Sequence, residues 1–155
     1  MQEATICYPI DPERDRVLLI HKKRGVGDGF YNGPGGKLED GETPREAAIR
    51  EVREEVRLRV EALEKTGELE FVFGDDPFMR VHVFRTESFA GTPRETPEAD
   101  PQWFHREAIP YDEMWEDDRR WLPLALEGET FVGYFRFDAD GEAMRGHHVD
   151  RDVSF

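Results

Sequence analysis

The apolar positions of this chain fall into short blocks rather than long runs. Residues 5–10 and 16–22 are apolar, rich in β-forming side chains and parted by a Pro/Asp turn, which predicts two strands. Residues 25–36 are dense in glycine and include Pro34, which predicts a loop with at most a short strand. At Pro44 the pattern changes. Thr43 is a predicted N-cap, Glu46 completes its capping box, and Pro44 stands where a helix start tolerates proline. Ala48, Ile49, Val52 and Val56 then share one face, so the helix is expected to run to about Arg57. Residues 68–74 and 79–87 alternate as a strand pair around Asp75-Asp76-Pro77. Residues 90–101 are turn-rich, and 102–105 read as a short strand. Residues 115–126 read as a helix interrupted at Pro123. Residues 130–137 alternate strongly, and 142–149 can pair with them across Asp138-Ala139-Asp140-Gly141. Many strands and few helices predict an α+β fold with a mixed, largely antiparallel sheet. The length of 155 residues fits one domain over residues 1–155.

Charge narrows the possible partners. The formal net charge is −14, with 21 Lys+Arg against 35 Asp+Glu. Such a surface repels nucleic-acid backbones and anionic membranes, so neither is an expected partner. It fits plain solubility, and it also fits adaptation to a salt-rich cytoplasm. No apolar run reaches membrane length and no leader pattern is visible, so a cytoplasmic protein is expected. The single cysteine, Cys7, lies in an apolar block and reads as a buried, inert thiol in a reducing compartment. Nothing in the sequence calls for an oligomer, and a monomer is expected.

The helix carries the chemistry. At about 100° per residue, Glu51, Glu54 and Glu55 fall within roughly a 100° arc beside the apolar face. Like charges on neighbouring turns destabilise a helix, so a purely structural helix would gain by mixing signs there. Carboxylates alone point to a hard divalent cation, Mg²⁺ with Mn²⁺ possible, whose shell is completed by waters and substrate phosphates. A solvated amphipathic helix, with Glu54 paired to Arg50, explains the same pattern less fully. Gly33-Pro34-Gly35-Gly36 adds a loop whose backbone can approach a ligand closely. Elsewhere, His82 reads as a satisfied scaffold histidine. His147 and His148 lack a third ligand, which argues against zinc. Asp117 and Asp118 beside Trp115 either cap the following helix or, if buried, hold a proton that can be donated to a ligand.

Gly36, Glu42, Arg50, Glu51, Val52, Glu54, Glu55 and Leu58 stand in the register Gly-x5-Glu-x7-Arg-Glu-U-x-Glu-Glu-x-Gly-U, where U is apolar. This resembles the Nudix box. The one departure is Arg57, where the pattern has a glycine that ends the helix. Further likeness at Tyr31-Asn32-Gly33, Val81-His82-Val83-Phe84, Gly91-Thr92-Pro93, Trp103-Phe104, Met114-Trp115 and Gly133-Tyr134-Phe135 extends over most of residues 5–137. It is similar there to the vertebrate branch of the Nudix hydrolases that acts on oxidised purine nucleoside triphosphates.

The resemblance implies a Nudix fold, a mixed β-sheet sandwiched between α-helices. It implies Mg²⁺-dependent hydrolysis of nucleotides of the 8-oxo-dGTP and 2-hydroxy-dATP type to monophosphate and pyrophosphate, which cleans the nucleotide pool. Glu51, Glu54, Glu55, Glu98 and the Gly35 carbonyl would hold the metal, and Arg50 would orient the helix carboxylates. Asn32, Asp117 and Asp118 would read the purine edge, and Trp115 would stack on the ring. Phe71, Phe73, Met79 and Trp121 would wall the pocket. Thr5, Lys22, Gly35, Gly36 and Lys37 would lie on the sugar and phosphate side. Val26 and Pro34 replace aromatic residues of the relatives, so other substrates stay open: a general nucleoside triphosphate, ADP-ribose or a dinucleoside polyphosphate. A non-catalytic nucleotide-binding module also stays open.

Overall fold

The computed structural model describes residues 1–23 and 29–155. Val26 lies outside the described residues. The elements are β1 (Gln2–Asp11), β2 (Arg16–Lys22), β3 (Tyr31–Asn32), β4 (Gly35–Lys37), α1 (Pro44–Val56), β5 (Arg59–Phe73), β6 (Asp76–Ala90), β7 (Ala99–His105), a short 3₁₀ turn (Tyr111–Glu113), α2 (Asp118–Leu126), β8 (Phe131–Phe137) and β9 (Met144–Arg151). The sheet order is β3-β2-β1-β6-β5-β8-β9, with β4 paired to β1 and β7 to β2. Pairs β1–β6 and β5–β8 are parallel, and the other pairings are antiparallel.

Period-2 alternation sorts the strand side chains onto two faces. Ile6, Tyr8, Ile10, Val17, Leu19 and Val83 pack with Trp121, Leu122 and Ala125 of α2. Cys7, Leu18, Ile20 and Phe84 pack with Ala48, Val52 and Val56 of α1. Each helix therefore covers one face of the sheet, giving the α+β sandwich expected for a Nudix fold. Cys7 is fully buried, and that burial pushes its thiol up to about 12. No helix among the described residues is long and apolar enough to cross a membrane.

Several boundaries differ from those expected. β5 begins at Arg59 rather than 68, and β6 spans Asp76–Ala90. Their turn is Gly74-Asp75, with Gly74 at φ 63, so Asp76 and Pro77 belong to the strand. The early half of β5 alternates exposed charges with few apolar positions and pairs through several register shifts, which blurs its period. α2 starts at Asp118 rather than Trp115, and Pro123 lies inside the helix without breaking it. Arg57 ends α1 by adopting the left-handed conformation, φ 65, and its N–H donates to the Arg53 carbonyl. The chain thus places an arginine in the role a glycine usually fills.

Candidate active site

Local capping fixes α1, and α1 fixes the glutamates. The Thr43 hydroxyl accepts from the Glu46 N–H and the Glu46 carboxylate accepts from the Thr43 N–H, which is the expected capping box. With Val52 and Val56 buried against the sheet, Glu55 is also drawn inward and is only 2 % exposed. The Gly35 N–H donates to its carboxylate at 2.7 Å. Burial pushes the Glu55 carboxyl up to about 7. The neighbouring charges of Glu51 and Glu98 add to that rise, while the Gly35 amide and Lys22 oppose it.

Glu51 is raised for the same first reason, burial, and is restrained by Arg50. The Arg50 guanidinium donates to both carboxylate oxygens of Glu42, at 2.7 and 2.9 Å. It also donates to Glu51 at 2.6 Å, to Glu54 at 3.2 Å and to the Lys37 carbonyl at 3.2 Å. One side chain thereby ties the glycine loop to two of the three helix glutamates, and Glu42 is held well below the ordinary carboxylate range. Glycine is required beneath this cluster. A Cβ on Gly36 would stand 2.7 Å from the Glu51 carboxyl carbon, and one on Gly35 would stand 2.1 Å from the Thr5 carbonyl oxygen.

This donor set suits a hard cation that keeps waters and phosphates in its shell. Glu51, Glu54 and Glu55 offer only oxygen. Glu98 approaches closely enough for its charge to raise Glu51 and Glu55. Among the described residues, no three acidic, histidine or cysteine side chains form a closed shell by themselves. A site completed by ligand oxygens fits that arrangement better than a structural metal cage does.

From the glycine loop a cavity of about 400 Å³ extends along the α2 face of the sheet. Thr5, Lys22, Gly35, Gly36 and Lys37 line its polar end, and Phe71, Phe73, Met79, Trp115 and Trp121 line the rest with Asn32, Asp117 and Asp118. Every residue expected on the substrate side thus faces one cavity. The sequence reading missed Leu69, Val81, Phe78, Phe137 and Gly141, which line it too. Leu69 and Val81 each lie two residues from an expected wall residue on the same strand, so the period-2 rule could have found them. Phe78 stacks on Phe73 at 4.5 Å and 11°, but the misplaced turn concealed it.

The aspartate pair does not cap α2. Asp117 is at the N-cap position, yet its side chain makes no capping bond. Instead it accepts from the Trp121 indole N–H at 2.8 Å. Asp117 and Asp118 are each 3 % exposed. Burial raises both, and Asp118 rises well above the carboxylate range because of burial, the Asp117 charge and the hydrogen bond it shares with Asp117. Burial therefore favours the protonated form of the pair, most strongly at Asp118. The Asp118 Oδ2 has no hydrogen-bond partner among the described residues. The Asn32 side-chain oxygen accepts from the Gly33 N–H at 2.9 Å, which turns its NH₂ group away from that bond. Trp115 leans on Phe30 with ring centres 5.1 Å apart. His82 is buried between Glu3, at 2.8 Å, and Lys65, at 3.0 Å, away from the cavity lining.

Comparison with known proteins supplies the family. A model described as the NUDIX domain matches residues 1–125. The chain is 49% identical over 146 residues to the oxidized purine nucleoside triphosphate hydrolase of Danio rerio, covering 94% of this chain and 88% of that one. It is 44% identical over 134 residues to the Mus musculus protein of the same name, covering 86% of this chain and 85% of that one. The crystal structure of the mMutator MutT protein from Bacillus halodurans superposes with a TM-score of 0.84 at 26% identity, covering 97% of this chain and 98% of that one. Ordered glycine and glutamates around Arg50, a sheet between two helices, and these matches together make the chain a member of the Nudix hydrolase family.

Proposed function

We propose that the protein hydrolyses oxidised purine nucleoside triphosphates, of the 8-oxo-dGTP and 2-hydroxy-dATP type, to monophosphate and pyrophosphate. The observation that carries this reading is the buried aspartate pair on the wall of an aromatic cavity that opens onto the glycine–glutamate loop. A purine edge presents donors and acceptors side by side. A carboxylate can only accept, whereas a protonated carboxyl also donates, so Asp117 and Asp118 together offer both. The shared proton can sit to suit more than one oxidised base. Trp115 offers a stacking face, and Asn32 offers an amide. Both high-identity relatives, from fish and mouse, bear names for this activity.

As a Nudix hydrolase the chain works with a divalent metal, and we assign it Mg²⁺ on the all-oxygen donor set. Glu51, Glu54, Glu55, Glu98 and the Gly35 carbonyl would hold it. When bound, such an ion neutralises phosphate oxygens and activates water. The protein's own part is positional. Arg50 fixes Glu51 and Glu54, the Gly35 N–H fixes Glu55, and a carboxylate of this coupled cluster takes the proton of the attacking water. Lys22 and Lys37 present cationic groups where the phosphate chain would lie. The enzyme acts as a monomer on free nucleotides, in a reducing cytoplasm that suits its single buried thiol.

The test is product release from 8-oxo-dGTP, 2-hydroxy-dATP, dGTP and ADP-ribose, with and without Mg²⁺. Pyrophosphate and monophosphate should form fastest from the two oxidised purines and only with metal. Equal or faster cleavage of ADP-ribose would overturn the substrate assignment, and no turnover of any compound would favour a binding module.

A further inference from the structure

Near its tip the β5–β6 hairpin breaks the two-residue period of its strands. Phe71 pairs with Met79 and Val72 pairs with Pro77, which leaves Phe78 as the extra residue of a β-bulge. Neighbouring strand residues ordinarily point to opposite faces, and a bulge re-aims the side chain it carries. Phe78 and Met79 accordingly both line the cavity. Phe78 is 39 % exposed, and its ring lies on Phe73 with centres 4.5 Å apart and planes at 11°. Phe73 is braced from other sides as well. It meets the buried Phe137 edge-on at 6.0 Å, and a Cβ on Gly141 would stand 3.6 Å from its ring. A second hollow of about 460 Å³ has Met1, Gln2, Asp76 and Ala139 in its walls. Phe73 and Phe78 line both spaces, so the stacked pair is the partition between them. A phenylalanine whose ring still faces water in part adds little to the core, so packing alone does not account for it here.

We propose that Phe78 is a specificity-determining residue: it is the end wall of the base cavity and sets the largest group that a bound purine can carry. The inference rests on the substrate reading above and adds a limit of size to it. Asn32, Asp117 and Asp118 sort bases by their donors and acceptors. An aromatic wall offers no such bond and sorts them by shape. Oxidation to the 8-oxo or 2-hydroxy form adds a single oxygen to the purine, which the cavity accepts. A purine carrying an aromatic adduct needs the space beyond the partition. The two rings of that partition differ in firmness. Phe73 is held among Phe78, Phe137 and Gly141, whereas Phe78 projects from the bulge with part of its ring in water. Phe78 is therefore the part whose removal joins the two spaces and leaves the core intact.

The experiment is Phe78→Ala in the full chain, with Phe78→Leu as an intermediate and Phe78→Ala combined with Ala139→Phe to refill the second hollow. Binding is read by calorimetry without turnover. The ligands are 8-oxo-dGMP and two bulky purine monophosphates, dGMP with a benzyl group on N2 and dAMP with one on N6. In Phe78→Ala at least one benzyl compound should bind at least about tenfold more tightly than in the wild type. Affinity for 8-oxo-dGMP should change by less than about threefold, and Phe78→Leu should give a smaller gain. The double variant should lose the gain, because Ala139 lies in the wall of the second hollow. A folded Phe78→Ala protein with no gain for either benzyl compound overturns the proposal. So does a gain that survives in the double variant, or a loss for 8-oxo-dGMP as large as the gain. A wild-type enzyme whose turnover shows no preference for oxidised purines overturns the substrate reading instead, and binding read without turnover separates that failure from failure of the wall.

Discussion

At one end of the cleft three glutamates stand on a helix turn within reach of an arginine, a backbone N–H and a lysine. At the other end two aspartates stand against Trp121, with no cation among the described residues of the cavity lining beside them. Burial raises Glu51 and Glu55 in the first group too, but there donors that favour charge oppose it. Arg50 reaches Glu42, Glu51 and Glu54 at once, and Gly35 donates to Glu55. The second group is held by burial, which favours the proton, and its one clear donor is the Trp121 indole. Identical chemical groups are thus prepared for opposite work. Carboxylates kept able to ionise suit a divalent cation and a phosphate chain, whereas a carboxyl kept neutral suits the hydrogen-bonding edge of a base.

The comparison breaks most visibly at the glutamates. Glu55→Gln should leave a folded protein, by circular dichroism, with turnover reduced by at least about a hundredfold, and removing metal with EDTA should do the same to the wild type. A folded Glu55→Gln enzyme with ordinary kcat would remove the metal assignment. Next in size is Gly36→Ala. Its Cβ would meet the Glu51 carboxyl at 2.7 Å, so the Glu51 carboxyl must shift from its present place beside Arg50. We expect kcat to fall by roughly tenfold or more with KM little changed, measured by steady-state kinetics.

The aspartate end should respond in KM instead. Asp118→Asn should raise KM for 8-oxo-dGTP by about tenfold and leave the rate with saturating substrate near normal. Its effect on stability has a sign. The folded pKa of Asp118 is raised, so its contribution to stability is full below the unfolded value of about 3.9 and is lost as pH rises through the folded value. The asparagine protein does not ionise there. Its Tm, compared with wild type by calorimetry, should therefore gain steadily as pH is raised from about 4 towards 8. A gap that narrows with rising pH would show that Asp118 is ionised in the fold. The smallest effect should come from Arg57→Gly, which relieves a left-handed arginine at the end of α1. A gain of about 1 kcal/mol, or a few degrees in Tm, is expected with unchanged kcat. A change in kcat would show that the helix end is coupled to the glutamates above it.

The glutamate end was the more legible in sequence because its signals are local. Thr43, Pro44 and Glu46 set the helix start, the 3.6-residue period sets the face of Glu51 and Glu55, and the spacing from Gly36 sets the loop. Arg57 could be seen as a departure, but only the backbone shows that an arginine can take the left-handed position. The aspartate end depends on distant contacts. Asp117 and Asp118 look like helix caps until Trp121 and the packing of α2 on the sheet bury them. Phe78 was hidden by a turn placed one step too late. The early half of β5 was hidden by charges on its exposed positions, since its pairing is decided by β6 and not by its own period.

The most direct test of the central claim is the pH dependence of discrimination between 8-oxo-dGTP and dGTP, as the ratio of their kcat/KM values with Mg²⁺ in the wild-type enzyme. The ratio cancels whatever the glutamates and the metal do to both substrates alike. It should be at least about tenfold at neutral pH and should collapse on the alkaline side as the proton leaves the aspartate pair. A ratio near one, or a ratio flat across the whole pH range, would contradict the account.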